Sequence, residues 1–271
     1  MVRELLVDYH MHLENGPKTL EYVEQFLKVA EKRGISEIGF SEHCYRFKEA
    51  RHLLDNPWAR ERNVDSVSEY LELLTRAKQK GWPVKIGIEV DYIPEVEDEI
   101  RTFLEKYQFD YVFGSVHWIG DFGFDLKENI PVWERSDPGE VWREYFAILL
   151  KAARSGLFDS LPHPDLVKIY SFYPEEDLSD FITEVIGEIA KTGVCLEAST
   201  AGWRKPVGEM YPSREILQVI RGFDIPITLA SDAHYPEDVG RDFDRMIPIL
   251  KEAGFTEFIR FDRRQKTAER F

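Results

Sequence analysis

Cys44 and Cys195 are the only cysteines in 271 residues, and they stand far apart without a CxxC spacing. That excludes a disulfide framework and a cysteine-based zinc site, and it fits a reducing compartment. Long apolar runs are missing too. None approaches the roughly 20 residues a membrane-spanning helix needs, so no membrane contact is expected. Positive charge is in deficit, with 35 Lys and Arg against 50 Asp and Glu and a net charge of −15. A nucleic-acid backbone is therefore not an expected partner. A small phosphorylated ligand stays open, because bound divalent cations invert the sign of a pocket locally. The opening residues, Met1-Val2-Arg3-Glu4, lead straight into an expected strand and lack a signal-peptide pattern, which points to the cytoplasm. Low-complexity segments and short-period repeats are also lacking.

What is present is a rhythm of strand and helix. Apolar runs predict strands at Glu4–His10, Glu37–His43, Pro83–Tyr92, Asp110–Trp118, Asp159–His163, Val194–Ala198, Ile227–Ser231 and Glu257–Phe261. Between them, helical spacing and stop signals predict helices at Thr19–Arg33, Val64–Gln79, Glu95–Lys106, Pro138–Ser155, Glu175–Thr192, Ser213–Arg221 and Pro236–Ala253. Two stretches, Arg46–Asn63 and Ile119–Asp137, read as irregular excursions. Alternating units of this kind give parallel strands joined by right-handed crossovers. Seven or eight of them imply a closed or nearly closed barrel of residues 1–271 acting as one domain. An open doubly wound sheet is the competing arrangement, but the turn Leu13-Glu14-Asn15-Gly16-Pro17 after the first strand carries no GxGxxG.

Six of the seven histidines fall at the C-terminal ends of these strands: His10, His12, His43, His117, His163 and His234. Only His52, in the polar excursion, stands apart. In a parallel barrel those ends share one rim, which is where active sites form. His10 and His12 are two residues apart, so both imidazoles can aim at one point. Glu89, in an apolar strand, and Asp232, two residues before His234, share the rim. A carboxylate among Ile88 and Val90 needs a cation or good hydrogen bonds, and Asp91 stands behind it. A donor set of imidazole and carboxylate without thiolate suits Zn, Mn or Fe. It is too large for one tetrahedral ion, so two or three divalent ions are expected, with Glu89 bridging.

Taken in order, His10-x-His12, Ser41-Glu42-His43, Glu89, His117, His163-Pro164 and Asp232-Ala233-His234 resemble the motifs of the polymerase and histidinol phosphatase (PHP) superfamily. The resemblance implies a distorted seven-stranded (β/α)7 TIM-like barrel with a trinuclear metal centre. It implies one metal on His10, His12, Glu89 and Asp232, and a second on Glu89, His117 and His163. A third would take His43, His234 and one ligand after the first strand, for which Glu14 is the only anionic oxygen donor. The stretch from Ala198 through Trp203, Arg204 and Lys205 to Ser213 is similar to that of histidinol-phosphate phosphatases within the superfamily.

The expected reaction is hydrolysis of a phosphate monoester, most simply L-histidinol phosphate to L-histidinol and phosphate, by a metal-bridging hydroxide held by Glu89, His117, His163 and Asp232. His43 and His234 are also expected at the substrate. Arg204 is the first candidate for the phosphate, as a guanidinium grips phosphate with two donors; Lys168 is second and Lys205 third. Glu42, Glu197, Asp91 or Asp165 would meet the amine or imidazole of the alcohol, and Tyr45, Phe47, Trp58, Trp118 or Phe122 would wall it. Cys44 lacks a CxxxxxR cradle and is expected to be a buried bystander. Two alternatives remain: the same site acting on phosphotyrosine, a nucleotide or a nucleic-acid end, and a PHP domain retained without catalysis. The oligomeric state is open.

Overall fold

The structure is a computed structural model and describes residues 6–271. Its strands are β1 (Leu6–Asp8), β2 (Ile35–Phe40), β3 (Val84–Asp91), β4 (Tyr111–Ser115), β5 (Trp118–Ile119), β6 (Phe122–Gly123), β7 (Ser160–Leu161), β8 (Cys195–Ser199), β9 (Ile227–Ala230), β10 (Glu257–Asp262) and β11 (Gln265–Arg270). Seven of them form one parallel sheet in the order β1-β2-β3-β4-β7-β8-β9. Past the ends of β1 and β9 the chain closes on itself. Met11 and Ala233 form a parallel bridge, with His12 N donating to Ala233 O at 2.9 Å and Ala233 N to His10 O at 3.0 Å. The result is a nearly closed barrel, as the strand–helix rhythm predicts, with the seven strands that the family resemblance implies. The first two residues of the first predicted strand, Glu4 and Leu5, and the opening Met1-Val2-Arg3 lie outside the described residues.

The interior is filled by large aromatics. Tyr9, Tyr111, Phe113 and Phe261 pack ring on ring, with centroids 4.7–6.5 Å apart. Gly87 on β3 makes room for them: a Cβ there would lie 2.2 Å from the Tyr111 ring. Strand alternation then puts Glu89 and Asp91 on that same inner face, one and two steps nearer the rim. The eighth predicted strand is not a barrel strand. β10 pairs antiparallel with β11, and this hairpin packs Phe261 against the barrel interior while Arg264 N donates to Asp110 O at the start of β4.

Helix ends follow local chemistry. Thr19 caps the helix Leu20–Lys32 by accepting from Tyr22 N, and Asp137 caps Pro138–Arg154 by accepting from Gly139 N. Two predicted segments differ. The excursion 46–63 contains a short helix, Pro57–Arg62, that Asn56 caps and Pro57 starts rather than breaks. The predicted helix Pro236–Ala253 is split into a turn at Pro236–Asp238 and a helix Phe243–Glu252. Gly240, with φ at +60°, turns the chain between them so that its N–H reaches Asp8 Oδ2 at 2.8 Å; a Cβ there would meet Ile35 at 2.0 Å. No helix among the described residues is long and apolar enough to cross a membrane.

Candidate metal centre and its cavity

Glu89 stands at the middle of the rim. Its Oε2 lies 2.8 Å from His43 Nδ1, 3.4 Å from His10 Nε2 and 3.8 Å from His12 Nε2. Its Oε1 lies 3.2 Å from His163 Nε2 and 3.7 Å from His117 Nε2. Asp232 faces it from the turn after β9, with Oδ1 3.4 Å from His12 Nε2, 3.7 Å from His10 Nε2 and 3.3 Å from His234 Nε2. The rings of His12 and His43 stack at 4.0 Å, and those of His12 and His234 at 4.6 Å. Ligand atoms converge within metal-binding reach in three groups: His10, His12 and Glu89; Glu89, His117 and His163; and His12, His43 and His234.

The donors fit cations better than they fit one another. His10 Nε2, His12 Nδ1 and Nε2, His43 Nδ1, His163 Nδ1 and Glu89 Oε2 are buried without a properly aligned hydrogen-bond partner. Leaving such atoms unpaired is costly, and a divalent ion is the single partner that would satisfy several at once. Protonation tells the same story. Burial disfavours charge on His10, yet Glu197, Glu89 and Asp232 outweigh it and lift the ring well above its ordinary value. His117 is likewise lifted to about 10 against its burial, chiefly by Asp91, and His234 to about 9, chiefly by Asp232. Burial works against ionised Glu89 and Asp232 as well, but the surrounding imidazoles hold both well below the usual carboxylate range. The site's carboxylates thus demand positive charge, which bound metal would supply in place of protons. His163 and Asp232 also hold left-handed backbone, at φ 31° and 51°, a strain of order 1 kcal/mol each that clusters at functional sites.

Behind the imidazoles stand carboxylates that fix their tautomers. Glu197 Oε2 lies 2.8 Å from His10 Nδ1, and Asp91 Oδ1 2.7 Å from His117 Nδ1. Glu42 approaches His12 Nδ1 at 3.6 Å and accepts from Leu13 N at 2.9 Å. The two close contacts leave His10 Nε2 and His117 Nε2 free to face the centre. Glu42 and Glu197, expected at the leaving group, are thereby committed elsewhere, and Asp165 is bound to Lys168 and Ser213 N. Asp8, to which the sequence reading assigned no role, is fully buried and accepts from Ser231, Gly240 N and His10 N. It ties the His10 end of β1 to the Asp232 turn.

Several expected site residues sit differently. Glu14 belongs to none of the three convergent groups. Its Oε1 lies 2.9 Å from His234 Nδ1 and its Oε2 3.3 Å from Arg46, so it orients His234, and His12 stands in the third group in its place. Arg204 does not line the cavity. Its guanidinium donates to the carbonyl oxygens of Ser231, Asp232 and Thr200 and so clamps the turn that carries Asp232. Lys168 is buried beneath the site, held by Asp165 at 2.8 Å, Glu209 at 3.1 Å and Met210 O at 2.8 Å. His52 is exposed and outside the cluster. Cys44 is buried, which pushes its thiol well above the ordinary value.

The cavity over the centre is lined by Glu14, His43, Glu89, His117, His163, Asp232 and His234 on one side. Tyr45, Trp58, Trp118, Leu126, Leu166 and Ile169 form an apolar wall, with Asp125 and Lys205 as further charges. Tyr45 meets Trp58 at 5.0 Å, and Trp58 meets Trp118 at 5.6 Å. Phe47 and Phe122 point elsewhere, onto Tyr70 and Trp133. Lys205 is the only Lys or Arg among the lining residues. Burial pushes the Asp125 carboxyl up, with His117 opposing.

Comparison with known proteins adds to this geometry. A family profile for the PHP domain matches residues 8–201. A protein of Deinococcus radiodurans named as a probable histidinol-phosphatase is 31% identical over 252 residues, spanning 92% of this chain and 94% of its own. A Clostridium acetobutylicum protein named likewise is 26% identical, spanning 91% and 93%. Among solved structures, histidinol phosphate phosphatase from Lactococcus lactis, complexed with zinc, L-histidinol and phosphate, superposes with a TM-score of 0.73 at 22% identity, covering 97% of this chain and 99% of that one.

Proposed function

The chain belongs to the PHP domain family, and from that footing we propose that it is a metal-dependent phosphate monoester hydrolase that converts L-histidinol phosphate and water to L-histidinol and phosphate. The observation that carries the proposal is Glu89 encircled by five histidines at the floor of a cavity, four of which, His10, His12, His43 and His163, hold a buried nitrogen without an aligned hydrogen-bond partner. The names of its relatives supply the substrate.

His10, His12, Glu89 and Asp232 would hold one cation and Glu89, His117 and His163 a second, and His43 and His234 would offer nitrogens to a third. Zn, Mn or Fe suits these donors. Such ions, when bound, polarise phosphoryl oxygens and bring the pKa of water toward about 7. The chain's own residues do the rest. Glu197, Asp91 and Glu14 hold the imidazole rings in the tautomer that points inward. Lys205 offers the one ammonium among the residues lining the cavity and would neutralise a phosphoryl oxygen, the role expected first of Arg204, then of Lys168 and Lys205. His43 and His234 line the phosphate end. Tyr45, Trp58 and Trp118 keep water from the leaving-group end and offer a flat surface to an imidazole ring. Water adds to phosphorus and gives up a proton, the ester P–O bond breaks, and a proton from that water ends on the departing oxygen, which leaves as the alcohol. The site draws on residues from His10 to His234, so the chain would act as one catalytic unit. Two free, buried cysteines suit the cytosol.

The test is kcat/KM for histidinol phosphate against phosphotyrosine and nucleoside monophosphates, with metal content measured on the same sample. A preference for histidinol phosphate is expected. A preference for another ester would keep the site and replace the substrate, and bound metal without hydrolysis of any monoester would sink the enzyme reading.

A further inference from the structure

Asp125 differs from every other acid on the cavity wall. Glu14 is bound to His234 and Arg46, Asp91 to His117, and Glu89 and Asp232 to the histidine cluster. The Asp125 carboxylate makes no ion pair and no hydrogen bond to another side chain among the described residues, though it lines the same cavity. Its backbone is nevertheless fixed with care. Phe124 N donates to His117 O at 3.2 Å, and Trp133 Nε1 donates to Phe124 O at 2.7 Å. Tyr170 Oη donates to Asp125 O at 2.7 Å, and Leu126 N to Gly123 O at 3.2 Å. A loop pinned on both sides, holding out one unpaired carboxylate, is a preorganised acceptor. The surroundings match an organic cation. Leu126 flanks the acid, and Tyr45, Trp58 and Trp118 line the same cavity, with one face of Trp58 covered by Arg62 and one face of Tyr45 by His43. Trp58 Nε1 is itself buried without a partner, a donor left over for a heteroatom of the bound molecule.

We propose that Asp125 is the specificity residue for the leaving group: it pairs with a primary ammonium on the alcohol while the phosphate lies at the histidine cluster. This rests on the function proposed above. It narrows the substrates to phosphomonoesters of amino alcohols, favouring those with a flat ring for the aromatic wall.

The experiment compares wild type with Asp125→Asn, which keeps shape and removes charge. Each metal-loaded enzyme is assayed on histidinol phosphate and on p-nitrophenyl phosphate, which has no ammonium. The variant is expected to lose about 10- to 100-fold in kcat/KM on histidinol phosphate, the value of a charge-assisted contact, and to stay within about twofold on p-nitrophenyl phosphate. Equal loss on both esters, or no loss on either, overturns the role of Asp125 and leaves the phosphatase reading standing. A wild type that cleaves p-nitrophenyl phosphate but not histidinol phosphate overturns the substrate reading, and the Asp125 assignment with it. Unchanged metal content and melting temperature in the variant separate a lost contact from a damaged fold.

Discussion

The carboxylate of Glu197 lies 2.8 Å from Nδ1 of His10, and both side chains are buried. Glu197 also accepts from His163 N at 3.2 Å, so one acid on β8 braces two arms of the proposed centre. Replacing it by Gln keeps the shape but lets the amide present either face to the ring. Glu197→Gln is expected to weaken metal affinity by about 10- to 100-fold, read by titration against a competing chelator. Unchanged affinity would reduce the contact to packing.

Glu89 has a harsher forecast. It stands within 3.8 Å of five imidazoles and touches two of the three convergent groups. Glu89→Ala leaves those rings facing one another without their anion. Metal content should fall by at least one ion per chain, and phosphate release by about 10³-fold or more, since metal and carboxylate act as a unit. A variant that kept full metal content would remove Glu89 from the centre.

These two residues also mark how far sequence reasoning reaches. Glu89 was readable because strand alternation and an apolar context single out a lone acid. Glu197 sits in an equally apolar strand, and the sequence leaves it among four acids open for the leaving group, whereas the structure sets it against His10. Whether an acid faces the cavity or the back of a histidine depends on strand register, which the spacing of a single strand does not state. The barrel itself followed from the alternation of elements. Its eighth strand did not, because Glu257–Asp262 has the pattern of a buried strand and only its partner, β11, makes it a hairpin. Asp125 carries no periodic signal, since it lies in a loop whose form comes from Trp133 and Tyr170.

Arg204 holds the Asp232 turn while Lys205 lines the cavity, and the difference can be measured. The Arg204 guanidinium holds the carbonyls of Ser231 and Asp232, so Arg204→Ala leaves part-buried acceptors unpaired at a cost of about 1–3 kcal/mol. Its melting temperature and metal content should drop, while KM of the metal-loaded fraction stays near wild type. Lys205→Met should do the reverse: an unchanged melting temperature and a KM raised about 10-fold, as an ammonium–phosphate contact is lost. A raised KM in Arg204→Ala at full metal content would return the guanidinium to the substrate.

Metal removal tests the balance of charge at the rim as a whole. Without cations, Glu89 and Asp232 are balanced by protonated imidazoles, and several buried nitrogens have no partner. Metal that binds the folded chain alone stabilises it by about 4 kcal/mol at a thousandfold excess over Kd. For a chain of this size that is about 10 °C in melting temperature. Chelation should therefore lower the melting temperature by about this much, abolish phosphate release, and be reversed by adding Zn, Mn or Fe. The ion that restores both readouts at the lowest concentration is the one the donors prefer. A chelated protein that melted where the untreated one does, with activity intact, would mean that the histidine ring works without metal.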